Sequence, residues 1–198
     1  MPTVYLSPSV QDWNVGYGGY GTEEYRMNRV ADVTAYELDR HGVTVVRNDP
    51  SQTLTQVVAQ SNDVAPAVHV AIHSNASASG AARGAEVYVH KFGGASQALA
   101  NDIYAQLVRI APADGLGVKE GYTAFGGKGY YELRRTAAPA VLVEVAFHDN
   151  PDDAAYIIYN SYEIGTAIAQ GILEFLGIPY QPDTADNIRY LRAKYNAE

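Results

Sequence analysis

Short apolar runs alternate with longer segments of helical periodicity along most of the chain. The run at 4–6 ends at Pro8, and the run at 43–46 is β-branched, which is typical of strands. The first helical segment begins at the N-cap Thr22 and ends at Gly42. We predict strands at 4–6, 43–46, 68–73, 86–90 and 140–147, and further helices at 53–60, 96–110 and 152–176.

The order of these elements predicts the fold class. The run at 140–147 is almost continuously apolar, as expected for a central strand that is buried on both faces. Alternating strands and helices favour a single α/β domain over residues 1–180, with a mixed, mostly parallel sheet flanked by helices. Residues 113–132 show little pattern and predict a long functional or mobile loop. Residues 181–198 form a polar tail with a short helix predicted at 185–195.

Charge and cysteine content narrow the classes of function. The chain has 198 residues, with 14 Lys and Arg against 22 Asp and Glu, a formal charge of −8 that argues against binding to nucleic acid. The absence of cysteine excludes disulfides, thiolate zinc sites and cysteine nucleophiles. No segment approaches the roughly 18 apolar residues of a membrane span. We therefore expect a protein that binds neither nucleic acid nor a membrane. We also expect it to be a monomer.

Glu144 is an ionisable residue inside the apolar run at 140–147. A buried carboxylate is costly unless it is paired, protonated or close to a metal ion. Two interpretations stay open: a catalytic carboxylate, or a structural one that is held by backbone donors or by Arg134 or Arg135.

His73 ends the predicted strand at 68–73, at the edge where α/β proteins bind ligands. His69 lies four residues earlier, but four residues of strand span about 13 Å, so the two rings cannot share one ion. We interpret His69 as structural. The chain lacks a G-x-S-x-G elbow, a phosphate-binding loop and an H-E-x-x-H motif. By elimination, a mononuclear metal hydrolase fits these residues best.

Several segments, taken together, resemble one known family over roughly residues 4–176. They are YLSP at 5–8, EYRMN at 24–28, AIHSNA at 71–76, GAEVY at 84–88, LRRT at 133–136 and PAVLVEVAFHDN at 139–150. In this order they are similar to the zinc-dependent N-acetylmuramoyl-L-alanine amidases of the amidase-3 type. The resemblance implies cleavage of the amide bond between N-acetylmuramic acid and L-alanine in peptidoglycan or muropeptides.

The resemblance also implies roles for individual residues. Glu24 and His73 match metal ligands of the family, and Glu144 matches its catalytic carboxylate. Asn75 is expected to contact substrate. Arg134 is expected to do the same, because a guanidinium group suits the carboxylates of a stem peptide. The implied cofactor is zinc, which would activate a water molecule, with Glu144 as the general base.

The loop SPSVQDWN at 7–14 departs from the family pattern. Val10 stands where the family has its first zinc-binding histidine, and we interpret the loop as the feature of an SPSxQ subgroup. Gln11 is the proposed replacement ligand, and its amide oxygen predicts weaker zinc binding or tolerance of Mn²⁺ or Mg²⁺. His148 is the alternative candidate for this ligand. A further interpretation is that metal binding has been lost.

Three functional hypotheses follow. The first is a metal-dependent amidase, the second a catalytically impaired peptidoglycan-binding module of the same fold, and the third a metallopeptidase that acts on another amide. The first ten residues show no signal-peptide pattern, so we expect synthesis in the cytoplasm and action on the cell wall. A phage lysin, an autolysin, a sporulation enzyme and a recycling enzyme would share these features.

Overall fold

Six strands form one sheet in a computed structural model that describes residues 1–196. In chain order they are β1 (Thr3–Pro8), β2 (Thr44–Arg47), β3 (Val68–Asn75), β4 (Glu86–Val89), β5 (Gly117–Glu120) and β6 (Ala140–Phe147). The spatial order is β2-β1-β3-β6-β4-β5. All neighbouring strands run parallel except β4 and β6, which are antiparallel. The predicted single α/β domain with a mixed, mostly parallel sheet is confirmed.

Eight helices accompany the sheet in the described residues. They are α1 (Glu23–Arg40), α2 (Leu54–Val64), α3 (Gly94–Leu107), α4 (Ala124–Gly127), α5 (Tyr131–Arg135), α6 (Pro151–Tyr159), α7 (Ser161–Phe175) and α8 (Ala185–Tyr195). A short 3-10 turn at Gly18–Tyr20 precedes α1. No helix of residues 1–196 is both long and apolar enough to cross a membrane.

The two faces of the sheet carry separate apolar clusters. Val70 and Ile72 of β3 belong to the main cluster, to which α1, α3 and α7 contribute most of the helical residues. Ala71, between them, belongs to a smaller cluster with Leu133 of α5. This alternation follows from the two-residue period of a strand. β6 has all eight residues buried, as expected for its central position.

The helices of the main cluster approach one another closely because α7 carries glycines at the contacts. A Cβ atom at Gly171 would lie 2.4 Å from Ile103 Cα of α3, and one at Gly165 would lie 2.6 Å from Val30 O of α1. Neither position accepts a side chain without displacement of backbone, so these glycines fix the spacing of the layer behind the sheet.

Two parts of the chain differ from the sequence prediction. The segment 113–132 contains β5, a four-residue strand at the edge of the sheet whose half-buried residues show no alternation. The single helix predicted at 152–176 is two helices, because Asn160 between α6 and α7 has φ −132° and ψ 25°. In the tail, Leu191 and Tyr195 of α8 pack with Val33 of α1 and Tyr162 of α7.

Candidate active site

A cavity of about 1340 Å³ opens at the carboxyl ends of the parallel strands β1, β3 and β6. We call this cavity the cleft. It is lined by the loop between β1 and α1, the segment that leads into α2, the end of β3 and the segment that carries α4 and α5. Ligands of parallel α/β sheets bind at these strand ends, so the cleft is the candidate active site.

His73, near the carboxyl end of β3, is paired with Glu23, the first residue of α1. The ring Nδ1 lies 2.7 Å from Glu23 Oε1, and Asn14 Nδ2 donates to Glu23 Oε2 at 2.6 Å. Glu23 is buried, whereas His73 is half-buried at the cleft wall. Because Glu23 engages Nδ1, the ring atom left for a ligand is Nε2.

Glu23 and His73 form an ion pair at neutral pH. Burial alone would lower the pKa of His73, but the hydrogen bond to Glu23 and the charges of Glu23 and Glu144 raise it to about 9. Burial alone would raise the pKa of Glu23, but the hydrogen bond and the charge of His73 bring it below its ordinary value. Each partner therefore stabilises the charged form of the other.

The structure brings Glu23, and not the predicted Glu24, into contact with His73. The side chain of Thr22 caps α1, so Glu23 is its first residue, and Glu24 points about 100° further around the helix. Glu24 also lines the cleft, but its Oε1 accepts a hydrogen bond from Asn28 Nδ2 at 3.1 Å, one turn along the same helix. The Glu24 and Asn28 side chains of EYRMN thus contact each other within α1, and metal ligation by Glu24 stays a prediction.

A row of hydrogen bonds connects Asn14 to the protein interior. His148 Nε2 lies 3.2 Å from Asn14 Oδ1, and its Nδ1 lies 2.8 Å from Ser74 Oγ. Ser74 Oγ in turn lies 2.5 Å from the hydroxyl oxygen of the buried Tyr20. His148 is buried and is connected to the Glu23–His73 pair through Asn14. Direct metal ligation by His148 stays a prediction.

Glu144 of β6 lies directly beside His73 in the parallel pairing with β3. Its side chain lines the cleft, and Oε2 has no hydrogen-bond partner in the described part of the chain. Burial, opposed by the charge of His73 and assisted by the charges of Glu23 and Glu86, raises the pKa of Glu144 to about 8. Neither Arg134 nor Arg135 forms an ion pair with it within residues 1–196, so a purely structural role is disfavoured.

Asn75 lines the cleft at the end of β3, as a substrate contact would. Its Nδ2 donates to Glu86 Oε1 at 2.6 Å, and the hydroxyl of Tyr88 donates to the same oxygen at 2.9 Å. Glu86 also forms an ion pair with Lys119 of β5. Because β4 runs antiparallel to β6, Glu86 stands directly across from Glu144. The GAEVY segment therefore contributes a positioning carboxylate to the site.

Arg134 and Gln11 both line the cleft. Arg134 is exposed on α5, with its guanidinium carbon 5.9 Å from the ring centroid of Tyr131. Gln11 is half-buried, and its backbone N–H donates to Ser9 Oγ at 3.2 Å. Metal ligation by Gln11 and substrate binding by Arg134 stay predictions.

His69 is fully buried and lies outside the cleft lining. Its Nε2 lies 2.7 Å from Glu132 Oε1, and its Nδ1 lies 2.9 Å from Ser61 Oγ. Burial opposes ionisation of Glu132, but its hydrogen bond with His69 and the charge of that ring lower its pKa. Glu132 itself lines the cleft at the start of α5, so this pair ties the Arg134 helix to β3. Sequence reasoning did not single out Glu132.

The donor set for a metal ion is incomplete. Within residues 1–196, no three His, Asp or Glu side chains are arranged to hold an ion. Glu23 and His73 supply two strong donors in direct contact with each other, and the oxygens of Asn14 and Ser9 beside them are neutral. A tetrahedral zinc site normally has at least three His, Cys or carboxylate ligands. The side chains present therefore do not fit the three-ligand zinc site that the resemblance implies.

Comparison with known families identifies the family to which the chain belongs. The model of the amidase-3 family, N-acetylmuramoyl-L-alanine amidase, matches residues 7–174. The chain belongs to the amidase-3 family. The matched segment contains every residue of the cleft discussed above. No curated protein sequence matches the chain.

Several solved structures share this fold. The catalytic domain of CwlV, an N-acetylmuramoyl-L-alanine amidase from Bacillus (Paenibacillus) polymyxa var. colistinus, is 24% identical with a TM-score of 0.81, over 90% of this chain and 100% of that one. An N-acetylmuramoyl-L-alanine amidase from Clostridium difficile 630 is 23% identical with a TM-score of 0.80, over 89% and 97%. Cwp6 from Clostridium difficile is 29% identical with a TM-score of 0.76, over 88% of this chain and 29% of that one.

Proposed function

We propose that this chain hydrolyses the amide bond between N-acetylmuramic acid and L-alanine in peptidoglycan, and that it acts on the cell wall. Membership of the amidase-3 family supports this type of reaction. One observation supports retention of turnover: Glu144, beside His73, has a carboxyl oxygen without a partner in the described residues and a pKa raised to about 8. A buried group of this kind is costly to keep unless the reaction uses it.

Glu144 is the group that moves the proton. As a carboxylate it accepts a proton from the attacking water, whose oxygen bonds to the lactyl carbonyl carbon. It then gives that proton to the nitrogen of L-alanine as the C–N bond breaks. The products are a lactyl carboxylate and a free amine. A pKa of about 8 leaves both protonation states of Glu144 populated close to neutral pH, as both halves of the reaction require.

His73 orients and stabilises the reacting groups. Its Nδ1 is fixed by Glu23, and its positive charge stands next to Glu144 in the strand pairing. A fixed cation stabilises negative charge that develops on the carbonyl oxygen. Asn14 and Glu23 act through His73 and are positioning residues.

Arg134 is proposed to bind a carboxylate of the stem peptide. It is exposed at the cleft and is held on a helix that the His69–Glu132 pair anchors. The substrate carries free carboxylates only on its peptide, because the lactyl carboxyl is in the amide bond. Arg134 therefore fixes which side of the cleft the peptide occupies.

Zinc dependence stays a prediction. With two strong donors in the described site rather than three, we expect affinity for zinc well below that of a three-ligand site. Metal analysis of the purified protein, together with cleavage assays with and without a chelator, tests it. Cleavage that persists in the presence of the chelator would show that the reaction does not depend on a metal ion.

A second function has support from the same incomplete donor set. Val10 in place of histidine favours the interpretation as a peptidoglycan-binding module without turnover. The test is release of a new L-alanine amino terminus from purified muropeptides. Release by the wild type and none by Glu144→Gln supports the amidase. Binding without release supports the module, and cleavage of plain peptides supports a metallopeptidase.

A further inference from the structure

Trp13 is a large apolar side chain left in solvent at the cleft. Its exposed fraction is 71%, and it lines the same cavity as His73 and Glu144. Burial of such a ring against a ligand is favourable, so an exposed ring at a binding cavity is a natural contact for a ligand. It is also the only tryptophan in the sequence.

The loop that carries Trp13 is anchored next to the reacting groups. Asn14, the following residue, donates its side-chain amide to Glu23 and accepts the backbone N–H of Glu23 at 2.9 Å. Before the ring, Asp12 N donates to Val10 O at 3.1 Å. The backbone of Trp13 therefore lies between two fixed residues, one of which touches the Glu23–His73 pair.

The charges around Trp13 select for a ligand without negative charge. Asp12 precedes it, and Glu24 lines the same cleft with its backbone N–H donating to Gln11 O of this loop at 3.4 Å. Apart from His73, the cations of the lining are Lys128 and Arg134 of the α4–α5 segment. Carboxylates repel an anionic peptide, but they accept strong hydrogen bonds from hydroxyl groups. An aromatic face beside hydroxyl-binding carboxylates suits a sugar, whose C–H face is apolar and whose rim is polar.

We propose that Trp13, Asp12 and Glu24 form a subsite for a neutral sugar ring of the glycan strand, with the ring stacked on the indole. This inference rests on the proposed function, because it takes the glycan part of the same substrate as the occupant. It divides the cleft between a glycan side at the β1–α1 loop and a peptide side at α4 and α5. It also gives Glu24 a role that does not require contact with His73.

The lone tryptophan makes the proposal directly measurable. The protein is titrated with neutral N-acetylglucosamine oligosaccharides, which contain no scissile amide to the peptide, while its tryptophan fluorescence is followed. We expect a saturable change with these oligosaccharides and none with the free stem peptide. Trp13→Ala should weaken sedimentation with insoluble N-acetylglucosamine polymer about tenfold, while Trp13→Phe retains most binding.

A matched control moves the reporter away from the cleft. Tyr190 of α8 is 62% exposed and lies outside the cleft lining. Trp13→Phe combined with Tyr190→Trp should show no fluorescence change with the same sugars. A glycan titration that leaves Trp13 fluorescence unchanged, or equal sedimentation of Trp13→Ala and wild type, would overturn the subsite. The fluorescence change on sugar binding requires no turnover, so its result is independent of the result of the amidase assay.

Discussion

Glu144 stands directly beside His73 across the parallel pairing of β3 and β6, with Oε2 unpartnered within residues 1–196. An acidic and a basic residue are thus fixed on neighbouring strands rather than on loops. Sheet pairing holds them rigidly, which favours a site that is formed before substrate arrives.

Replacement of Glu144 by Gln should remove catalysis and leave the fold intact. Because Gln cannot exchange a proton, we expect cleavage to fall by about 10²- to 10⁴-fold. Release of L-alanine amino termini from muropeptides measures the loss. Leu142→Met, a volume-conserving change on the same strand, is the control and should keep most activity.

The same variant should change how stability depends on pH. The pKa of Glu144 is raised from 4.5 to about 8 in the folded protein, so the folded state binds this proton more tightly than the unfolded one. The resulting stabilisation is complete below about 4.5 and is lost as the pH rises to about 8. Relative to Glu144→Gln, the free energy of unfolding of the wild type should decline over that window. Parallel pH profiles for the two proteins would contradict the assignment.

Glu23→Gln and Glu24→Gln form a matched pair of variants. Glu23→Gln leaves the histidine cation without its buried partner, so we expect a loss of about 3 kcal/mol in unfolding free energy and a large fall in activity. Glu24→Gln should change stability by less than about 0.5 kcal/mol. Denaturant titrations and cleavage assays on both separate the two carboxylates. The reverse order of effects would contradict the assignment of Glu23 as the carboxylate that supports His73.

Val10→His should strengthen metal binding. The change adds a third strong donor to a cleft in which Glu23 and His73 are already adjacent, so we expect at least about a tenfold gain in zinc affinity. Competition with a chromogenic chelator measures it without reference to turnover, and Val10→Ala is the control. Equal affinities of the two variants would mean that position 10 cannot reach the pair.

Loss of the His69–Glu132 pair should loosen α5. Glu132→Leu leaves buried His69 without its carboxylate partner, and we expect it to cost about 3 kcal/mol in unfolding free energy and to raise KM through Arg134. The double variant His69→Leu with Glu132→Leu should recover part of the stability, because the ion pair is then removed as a whole and only the hydrogen bond of Ser61 to His69 is lost with it. A double variant as unstable as the single one would mean that packing, not pairing, is what the site needs.

Much of the fold could be predicted because its strands carry a strong local pattern. The continuous apolar run at 140–147 identified the central strand, and the polar residue within it drew attention to Glu144. His73 was identifiable from its place at the end of a strand. β5 was missed because a short edge strand, half-buried throughout, carries no hydrophobic period.

The contacts that organise the site were beyond the reach of local patterns. Glu132 is 63 residues from His69, and His148 is 134 residues from Asn14, so no spacing rule connects them. The choice between Glu23 and Glu24 depends on where α1 starts, and element boundaries are the least certain part of a sequence prediction. One residue of helix phase decides which carboxylate faces β3.

The reversed direction of β4 has a consequence for how the cleft can vary. Glu86 is the first residue of β4, so it contributes to the site from the start of a strand rather than from a carboxyl end. Asn75, its hydrogen-bond partner, is the last residue before the segment that connects β3 to β4. Strand pairing and Lys119 hold Glu86 in place independently of that connection. Arg83 and Gly84 are held by the buried carboxylate of Asp153. The residues before them, 76–82, are therefore the part of this connection that can lengthen or shorten and reshape the approach to the cleft while the reacting groups keep their positions.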